Sequence, residues 1–444
     1  MKIERRSLRV TIPVLLVFAS LILFEMREFD QAIQRPIDAA NFHKVMALVV
    51  VFLYLFLYLS MRGLPRRWGG FHIGYMLYIL LGVASSIVYS QLRAFSFWKI
   101  FEVSCVFLLS LYVLSACQRD PSLRERFYDL CLSFLKFILI VTLAGAIVNP
   151  AEAFRVPISE ESMRMYGTPV LPYQLFGVLI QVNSNSLGAM AAILFFTYTC
   201  RLATGNSNVI AWLWLLISIV FLVFSQSRTA FLGLFSAYVF TITANTVQRR
   251  GTKIVLMVLL VSFVILVTSV IGEYFTRGMH LERLAVLTGR MVWWETAIVE
   301  YLHAGPLAKT IGLGFMSANR SVLSERLDAG GAATLHSDYI DALLSTGIVG
   351  TGIVLIVMAV LLVKVYRRVR QTRSIISVEM LGVVVILCVR SLTGTTIASH
   401  NIFLVMLFSV AVYLQLPPPH SSVRQLYVRD TTGFAAPLPG GKIG

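Results

Sequence analysis

Two arginines beside apolar stretches, Arg228 and Arg290, are the first candidates for chemistry in this sequence. Arg228 ends a Ser-Gln-Ser-Arg motif between two such stretches, where a cation is costly unless a polar or anionic group meets it. Either a ligand phosphate supplies that group, or the side chain extends toward water at a helix end. Arg290 begins a stretch of helical periodicity, where backbone N–H groups and a guanidinium together suit an anion. A salt bridge to Glu295 or Glu282 explains Arg290 equally well.

His336 is the candidate general base. It stands at the start of a second predicted helix, where the positive end of the helix dipole favours the neutral imidazole. A neutral imidazole accepts a hydroxyl proton, whereas a lone histidine can equally be a surface or capping residue. Asp338 and Asp341 follow closely. They are interpreted as capping or orienting carboxylates, or as alternative bases.

Further polar residues lie at the same predicted ends of apolar stretches. They come from the loop before the sixth stretch, from the start of that stretch and from the last turn: Arg155, Arg164, Asn183, Asn185, Arg390 and His400. Each alone is a weak signal of a site. The residues themselves therefore assign no role to Arg155, Arg390 or His400.

Several kinds of site are missing from the sequence. No Walker loop, HExxH or GxSxG motif occurs, and no carboxylate set resembles a metal site. The five cysteines form no CxxC pair and lie within or beside apolar stretches, so they are predicted to pack. A mechanism without metal or cofactor is therefore expected.

The elements that must position these residues are membrane helices. Of the 444 residues, 57% are hydrophobic and 14% are charged, a balance that no ordinary soluble domain needs. The apolar stretches are near the length that crosses ~30 Å of hydrocarbon. The formal charge is +16, and the Lys and Arg residues form short clusters between these stretches. Membrane topology explains such clusters, so no nucleic acid partner is expected.

Twelve transmembrane helices are predicted, which makes the fold class all-α and polytopic. They are placed near residues 8–24, 44–60, 71–88, 98–115, 130–148, 173–200, 209–224, 229–245, 254–271, 348–365, 376–392 and 400–416. The sixth is longer than one crossing needs and contains an Asn-Ser-Asn-Ser run. This run predicts a bend or a preceding re-entrant piece.

The distribution of Lys and Arg predicts the orientation. With both termini in the cytoplasm, the inner segments hold more than twice as many Lys and Arg residues as the short outer loops. The first apolar segment lacks a small-residue cleavage site and is therefore interpreted as a transmembrane helix.

The predicted spans divide the chain into four parts. Residues 1–271 hold helices one to nine, 272–347 form a large outer loop, 348–416 hold the last three helices, and 417–444 form a disordered cytoplasmic tail. Two short interfacial helices are predicted in the outer loop. One helix begins at the Thr-Gly-Arg motif. The other begins near His336 and ends at a glycine before span ten. Function is expected in this loop and in the other long outer loop, residues 149–172.

Five short motifs occur in one order between residues 160 and 395. They are Ser225-Gln226-Ser227-Arg228, Thr288-Gly289-Arg290 with Trp293 and Trp294, Gly312-Leu313-Gly314-Phe315, His336-Ser337-Asp338-Tyr339, and Gly347-Ile348-Val349-Gly350. This ordered set resembles the O-antigen ligase and polymerase superfamily. Members commonly show His-Asn and Pro-Asn where this chain has His336-Ser337 and Val182-Asn183.

The resemblance implies an inverting glycosyltransferase of the bacterial inner membrane with a GT-C-like fold and a periplasmic active site. It would move a glycan from undecaprenyl diphosphate to a hydroxyl of an acceptor glycan or of lipid A core, without metal. Arg228 and Arg290, joined by Arg164, would clamp the donor diphosphate. His336 would deprotonate the acceptor. The supporting positions are Asn183, Asn185 and Asp338.

Three activities remain in competition. A polymerase joins lipid-linked repeats to one another, whereas a ligase transfers the finished glycan to lipid A core. The Thr-Gly-Arg motif followed by tryptophan is similar to exopolysaccharide polymerases and favours that activity. A transporter or flippase is the alternative from another class, although the polar residues here concentrate in one outer loop rather than in internal repeats.

Overall fold

A computed structural model of the chain describes most of the predicted helices and the ends at which they meet. The described residues are 2–25, 39–156, 171, 173–180, 182–204, 209–244, 290–316, 335–372 and 374–417. The ninth predicted span, Arg164 and the C-terminal tail from residue 418 lie outside them. The side chain of Arg290 is likewise outside the description, although its backbone is inside.

The described chain is almost entirely α-helical. Its elements are α1 Lys2–Glu25, α2 Ala39–Arg62, α3 Gly70–Tyr89, α4 Arg93–Arg119, α5 Leu123–Val148, α6 Pro150–Ala153, β1 Phe154–Arg155, β2 Gln174–Leu175, α7 Ser184–Ala203, α8 Val209–Ser225, α9 Arg228–Ala244, α10 Arg290–His303, α11 Pro306–Ile311, α12 Asp338–Thr372, α13 Ile375–Thr393 and α14 Ile402–Gln415. Each predicted span within the described residues corresponds to one of these helices.

Among the described residues, 7 helices are long and apolar enough to cross a membrane, namely α2, α3, α4, α5, α7, α12 and α13. Shorter apolar helices of 10–17 residues are Val10–Ile22, Val209–Ser225, Arg228–Ala244 and Ile402–Gln415. Backbone groups in hydrocarbon must bond within their own segment, which is why apolar stretches of this length adopt helices. The protein is therefore an all-α membrane protein.

The sixth predicted span begins later than the sequence indicated. Helix α7 starts at Ser184 rather than at residue 173, and β2 instead pairs with β1 as a short antiparallel ladder. The Asn183 side chain accepts the backbone N–H of Ser186 at 2.8 Å and caps α7. The Asn-Ser-Asn-Ser run is thus a helix start, the position at which these residue types satisfy free backbone N–H groups.

Close helix packing brings the elements of the site together. Helix α7 packs against α8, α9 and α13, while α12 runs along α3. A Cβ on Gly382 would lie 2.0 Å from the Phe196 ring, and one on Gly188 would lie 2.6 Å from the Cβ of Ser227. Small residues permit these approaches, as is usual between membrane helices.

Polar contacts lie at both ends of the helix bundle, which correspond to the two predicted sides of the membrane. At the predicted inner end, Arg124 donates to the carbonyl of Pro417 at 2.6 Å and Arg368 donates to that of Leu416 at 2.8 Å. At the other end, the hydroxyls of Thr229 and Thr393 are 2.6 Å apart. These contacts place the start of α5 with the ends of α12 and α14 at one end of the bundle, and the start of α9 with the end of α13 at the other.

Lys44 lies within α2, and its side chain is buried. Its Nζ is 2.6 Å from Oε1 of Glu102, whose Oε2 is 2.9 Å from Nζ of Lys99. The carboxylate between two ammonium groups offsets the cost of burying Lys44.

A second buried ion pair joins α7 to α13. The Arg201 guanidinium donates from Nε to Oε1 of Glu379 at 2.8 Å and from Nη2 to Oε2 at 3.0 Å. Glu379 is 1% exposed, so its charge depends on this bidentate partner.

Arg201→Ala is expected to destabilise the protein by about 3–5 kcal/mol, because it leaves the Glu379 carboxylate buried without its main partner. Adding Glu379→Gln should recover much of that loss by removing the buried charge. Thermal unfolding in detergent measures both effects. Arg119→Ala is the control, since this guanidinium bonds Ser115 of its own helix. Equal losses for Arg201→Ala and Arg119→Ala would contradict the prediction.

Candidate active site

Three helix ends surround an open cleft at the predicted outer end of the bundle. The cleft is small and open to solvent, and it lies between the starts of α7 and α9 and the end of α13. Its polar lining consists of Asn185, Ser227, Thr229, Arg390 and Thr393. Hydroxyl, amide and guanidinium groups of this kind suit a hydroxylated or anionic ligand.

The Ser-Gln-Ser-Arg motif forms the turn between α8 and α9. Gln226 adopts a left-handed conformation with φ of 50°. Its Nε2 donates to the carbonyls of Leu171 at 2.8 Å and Tyr173 at 2.9 Å, while Nε2 of Gln174 donates to the carbonyl of Ser225 at 2.8 Å. These bonds fix the turn against the segment that precedes α7, which explains why the motif needs a long amide side chain.

Arg228 is the first residue of α9 and is half-buried. Its neighbours Ser227 and Thr229 line the cleft, whereas Arg228 itself is not among the lining residues. The structure therefore places Arg228 beside the cleft. Of the two candidate asparagines, Asn185 lines the cleft and Asn183 is the cap of α7.

Arg390 is the central cation of the cleft, and sequence reasoning assigned it no role. Its Nη2 donates to Oγ of Ser186 at 3.1 Å, and its Nη1 donates to Oγ1 of Thr396 at 3.0 Å and to the carbonyl of Thr395. The guanidinium carbon lies 4.0 Å from the centre of the Phe403 ring. One side chain thus connects α7, α13, the following loop and α14. A cation in the last turn of an apolar helix was the available signal.

Arg390→Lys is expected to lower the glycan transfer that the resemblance implies roughly ten- to a hundred-fold, because an ammonium cannot reproduce the fork and the cleft wall would shift. Transfer rates of purified variants measure the effect. The control is Arg155→Lys, because Arg155 is exposed and its Nε donates to the nearby carbonyl of Glu152 at 3.0 Å. Unchanged transfer by the Arg390→Lys variant would contradict the prediction.

His336 lies two residues before α12 and is half-buried. Its φ of 52° is left-handed, a conformation that histidine adopts more readily than most residues. The imidazole stacks on the Trp293 ring, with centroids 6.0 Å apart and planes at 27°. Nε1 of Trp294 donates to the carbonyl of Leu335 at 2.8 Å. The structure thus brings together two motifs that are distant in sequence.

The backbone of Arg290 begins α10, one turn before the tryptophans that contact residues 335 and 336. Residues three and four positions apart share a face of an α-helix. The backbone position of Arg290 is therefore three and four residues before the tryptophans that meet the His336 segment. The structure starts α10 at Arg290, and anion binding by the backbone N–H groups there stays a prediction.

Asp338 anchors the loop formed by residues 394–401. It is 1% exposed. Its Oδ2 accepts the backbone N–H groups of Thr396 at 2.7 Å and Ile397 at 3.1 Å, and its Oδ1 accepts that of Ala398 at 3.2 Å. These bonds favour an orienting carboxylate over an alternative base. Because Thr396 also bonds Arg390, one chain of contacts leads from the His336 segment to the cleft.

His400, in the same loop, is a buried neutral residue. Burial lowers the pKa of its imidazole to about 3, with a further contribution from the positive charge of Lys44. Its Nε2 is 3.3 Å from Oγ of Ser20, whose own proton is donated to the carbonyl of Val17 at 2.6 Å. Nε2 must therefore donate, which fixes the tautomer and ties the loop to α1.

Comparison with known families explains the order of the motifs. A family model described as O-antigen ligase matches residues 213–355. This segment is similar to O-antigen ligases. The match confirms the resemblance to the O-antigen ligase superfamily. The matched segment runs from α8 into α12 and includes the Ser-Gln-Ser-Arg turn and the His336 segment, whereas Arg390 lies beyond it. No match was found among curated proteins.

Proposed function

We propose that this protein is a membrane glycosyltransferase that moves a glycan from undecaprenyl diphosphate to a sugar hydroxyl at the periplasmic face. The match of residues 213–355 to O-antigen ligase supports a role as a membrane glycan ligase or polymerase. The observation that carries the proposal is the contact of the His336 imidazole with Trp293, one turn after Arg290. It joins the predicted base to the predicted phosphate-binding helix.

The donor diphosphate is held by guanidinium groups. Arg228 lies beside the cleft, Arg290 begins α10, and Arg164 is the third predicted member of the set. Bidentate guanidinium contacts replace the divalent cation with which many glycosyltransferases neutralise a diphosphate. The starts of α7 and α9 at the cleft add positive helix-dipole ends.

The proposed reaction needs one base and one stabilised leaving group. The His336 imidazole removes the proton of the acceptor hydroxyl, and that oxygen forms a bond to the anomeric carbon of the donor sugar. The bond between this carbon and the diphosphate oxygen breaks, so undecaprenyl diphosphate leaves with its electron pair and the configuration inverts. The guanidinium groups stabilise the developing charge, while Trp293 keeps the imidazole in place.

The proposed topology has twelve spans, with both termini in the cytoplasm of the cell. The cations at the end opposite the cleft, Arg66, Arg124 and Arg368 among them, then satisfy the positive-inside rule. This orientation puts the cleft and His336 at the periplasmic face, where lipid-linked glycans are presented in this superfamily.

Polymerase is the preferred activity within the superfamily, because tryptophans follow the Thr-Gly-Arg motif. The lipid extract of a deletion strain distinguishes the two activities. Accumulation of single lipid-linked repeats supports a polymerase, whereas accumulation of long lipid-linked chains supports a ligase.

Glycan transfer by the purified protein tests the proposed function against a transporter. The wild-type protein is reconstituted in vesicles with a lipid-linked glycan donor and a sugar acceptor, and ion gradients are collapsed with ionophores. Formation of a new glycosidic bond without a gradient supports the transferase. Gradient-dependent movement of the lipid-linked glycan without bond formation would contradict it.

A further inference from the structure

The Gly-Leu-Gly-Phe motif brings two backbone segments into direct contact. Gly312 has φ of 91°, and a Cβ there would lie 2.4 Å from the carbonyl carbon of Ser345. Gly347 has φ of 66°, and a Cβ there would lie 2.4 Å from the carbonyl oxygen of Thr310. Both positions combine a left-handed conformation with a space too small for any side chain, so both require glycine.

Two serines of α3 hold the residues that follow Gly312. Oγ of Ser85 accepts the backbone N–H of Gly314 at 2.8 Å and donates to the carbonyl of Ser345 at 2.8 Å. Oγ of Ser86 accepts the backbone N–H of Phe315 at 3.0 Å. Both serines are buried, so these bonds form where water cannot replace them.

Packing reinforces this docking. The Phe315 ring lies against Gly82 of α3, where a Cβ would approach it to 2.8 Å. The same ring is 5.7 Å from the Tyr78 ring in an edge arrangement. The backbone N–H of Met316 donates to Oγ of Ser345 at 3.0 Å. Residues 312–316, which we name the docking turn, are therefore bound to α3 and to α12 together.

The docking turn belongs to the same body as His336. The backbone N–H of Leu313 donates to the carbonyl of Leu344 at 2.7 Å. An apolar cluster of Ala297, Leu335 and Leu344 packs the turn, α10 and the start of α12 together. The helix before residue 347 thus moves with the segment that carries the imidazole.

Gly347 interrupts α12 with φ of 66° and ψ of −167°. In a helix broken in this way, the direction of the second part does not determine the direction of the first part. Beyond the break, α12 packs on α3 through Val357, whose Cγ2 would lie 2.2 Å from a Cβ on Gly74. The part before the break therefore has attachments of its own: Asp338 bonds the loop 394–401, Ser85 bonds Ser345, and Ser86 holds the docking turn.

We propose that Ser85 and Ser86 are positioning residues that set the height and direction of the His336 segment relative to the cleft. They lie outside the matched O-antigen ligase segment, so the N-terminal helices would supply part of the active-site geometry. The proposal rests on the proposed function, because it assigns the segment its catalytic importance. Neither serine touches the reacting groups in this proposal.

The test compares Ser85→Ala, Ser86→Ala and the double variant with Ser110→Ala. Ser110 is a matched control, since it is buried and its hydroxyl donates to Phe107 of its own helix at 2.7 Å. Losing the docking bonds is expected to lower kcat roughly ten- to a hundred-fold with little change in KM for the donor. Hydrogen–deuterium exchange should rise in residues 312–316 and 335–346 but stay unchanged in α12 beyond Gly347.

Two results would overturn the proposal. One is a double variant that keeps the exchange protection of residues 335–346, because the serines would then not fix this segment. The other is a variant that loses this protection and retains wild-type kcat. If the wild-type protein transferred no glycan, the proposed function would fail, and exchange would still show whether the serines hold the segment.

Discussion

The His336→Ala variant is expected to lose glycan transfer, with kcat reduced by about 100-fold or more, because no other group would remove the acceptor proton. His336 is half-buried and lies outside the helices. Its ring contacts Trp293 in the satellite apolar cluster rather than in the main core of the bundle. Expression and thermal unfolding should therefore remain near those of the wild type.

A second histidine of the same body gives a matched control. His303 lies in the last turn of α10, is exposed, and its Nδ1 is 2.8 Å from the carbonyl of Val299 in its own helix. His303→Ala should retain transfer. Turnover near the wild-type rate in His336→Ala would show that the base has been assigned to the wrong residue.

Asp338→Asn is expected to reduce both stability and transfer. The substitution removes the charge that three backbone N–H groups approach, and the new NH₂ group faces donors instead of acceptors. The expected loss of unfolding free energy is about 3 kcal/mol or more. Transfer should fall as well, because Thr395 and Thr396 of the loop 394–401 accept hydrogen bonds from Arg390. Thermal unfolding and transfer rates of the purified variant measure the two effects.

Asp120→Asn is the control for this substitution. Asp120 lies at the opposite end of the bundle, where its Oδ1 accepts the backbone N–H of Ser122 at 3.2 Å and the hydroxyl of the same residue at 2.6 Å. A smaller effect is expected at that site. If Asp338→Asn lost transfer but kept wild-type stability, the carboxylate would act in the chemistry rather than as an anchor.

Composition and hydrophobic length were sufficient to predict an all-α membrane protein and the apolar helices of the described residues. These signals depend on the bilayer, which requires an apolar helix of fixed minimum length wherever the chain crosses. The sequence predicts the start of the sixth helix at residue 173, because the segment before Asn183 is largely apolar, and this boundary is wrong since the helix begins at Ser184. Capping by Asn183 and pairing of Gln174–Leu175 with Phe154–Arg155 decide that boundary, and both depend on local geometry.

The candidate site was predicted in part. The motif order predicts His336, Arg228 and Arg290 as site residues, and the structure places the His336 imidazole against the Trp293 ring of α10. Arg390 donates a hydrogen bond to Ser186, which is far away in sequence. The residues next to Arg390 in the sequence therefore could not predict this contact. Serines within an apolar helix, such as Ser86, give no sequence signal that separates a docking group from an ordinary packing residue.

The most direct test of the proposed mechanism is an experimental structure with a bound, unreactive polyprenyl diphosphate analogue. We expect the diphosphate oxygens within about 3 Å of the guanidinium groups of Arg228 and Arg290. The sugar end should face the His336 imidazole. A diphosphate bound at the other end of the bundle, near Arg124 and Arg368, would contradict the proposed site.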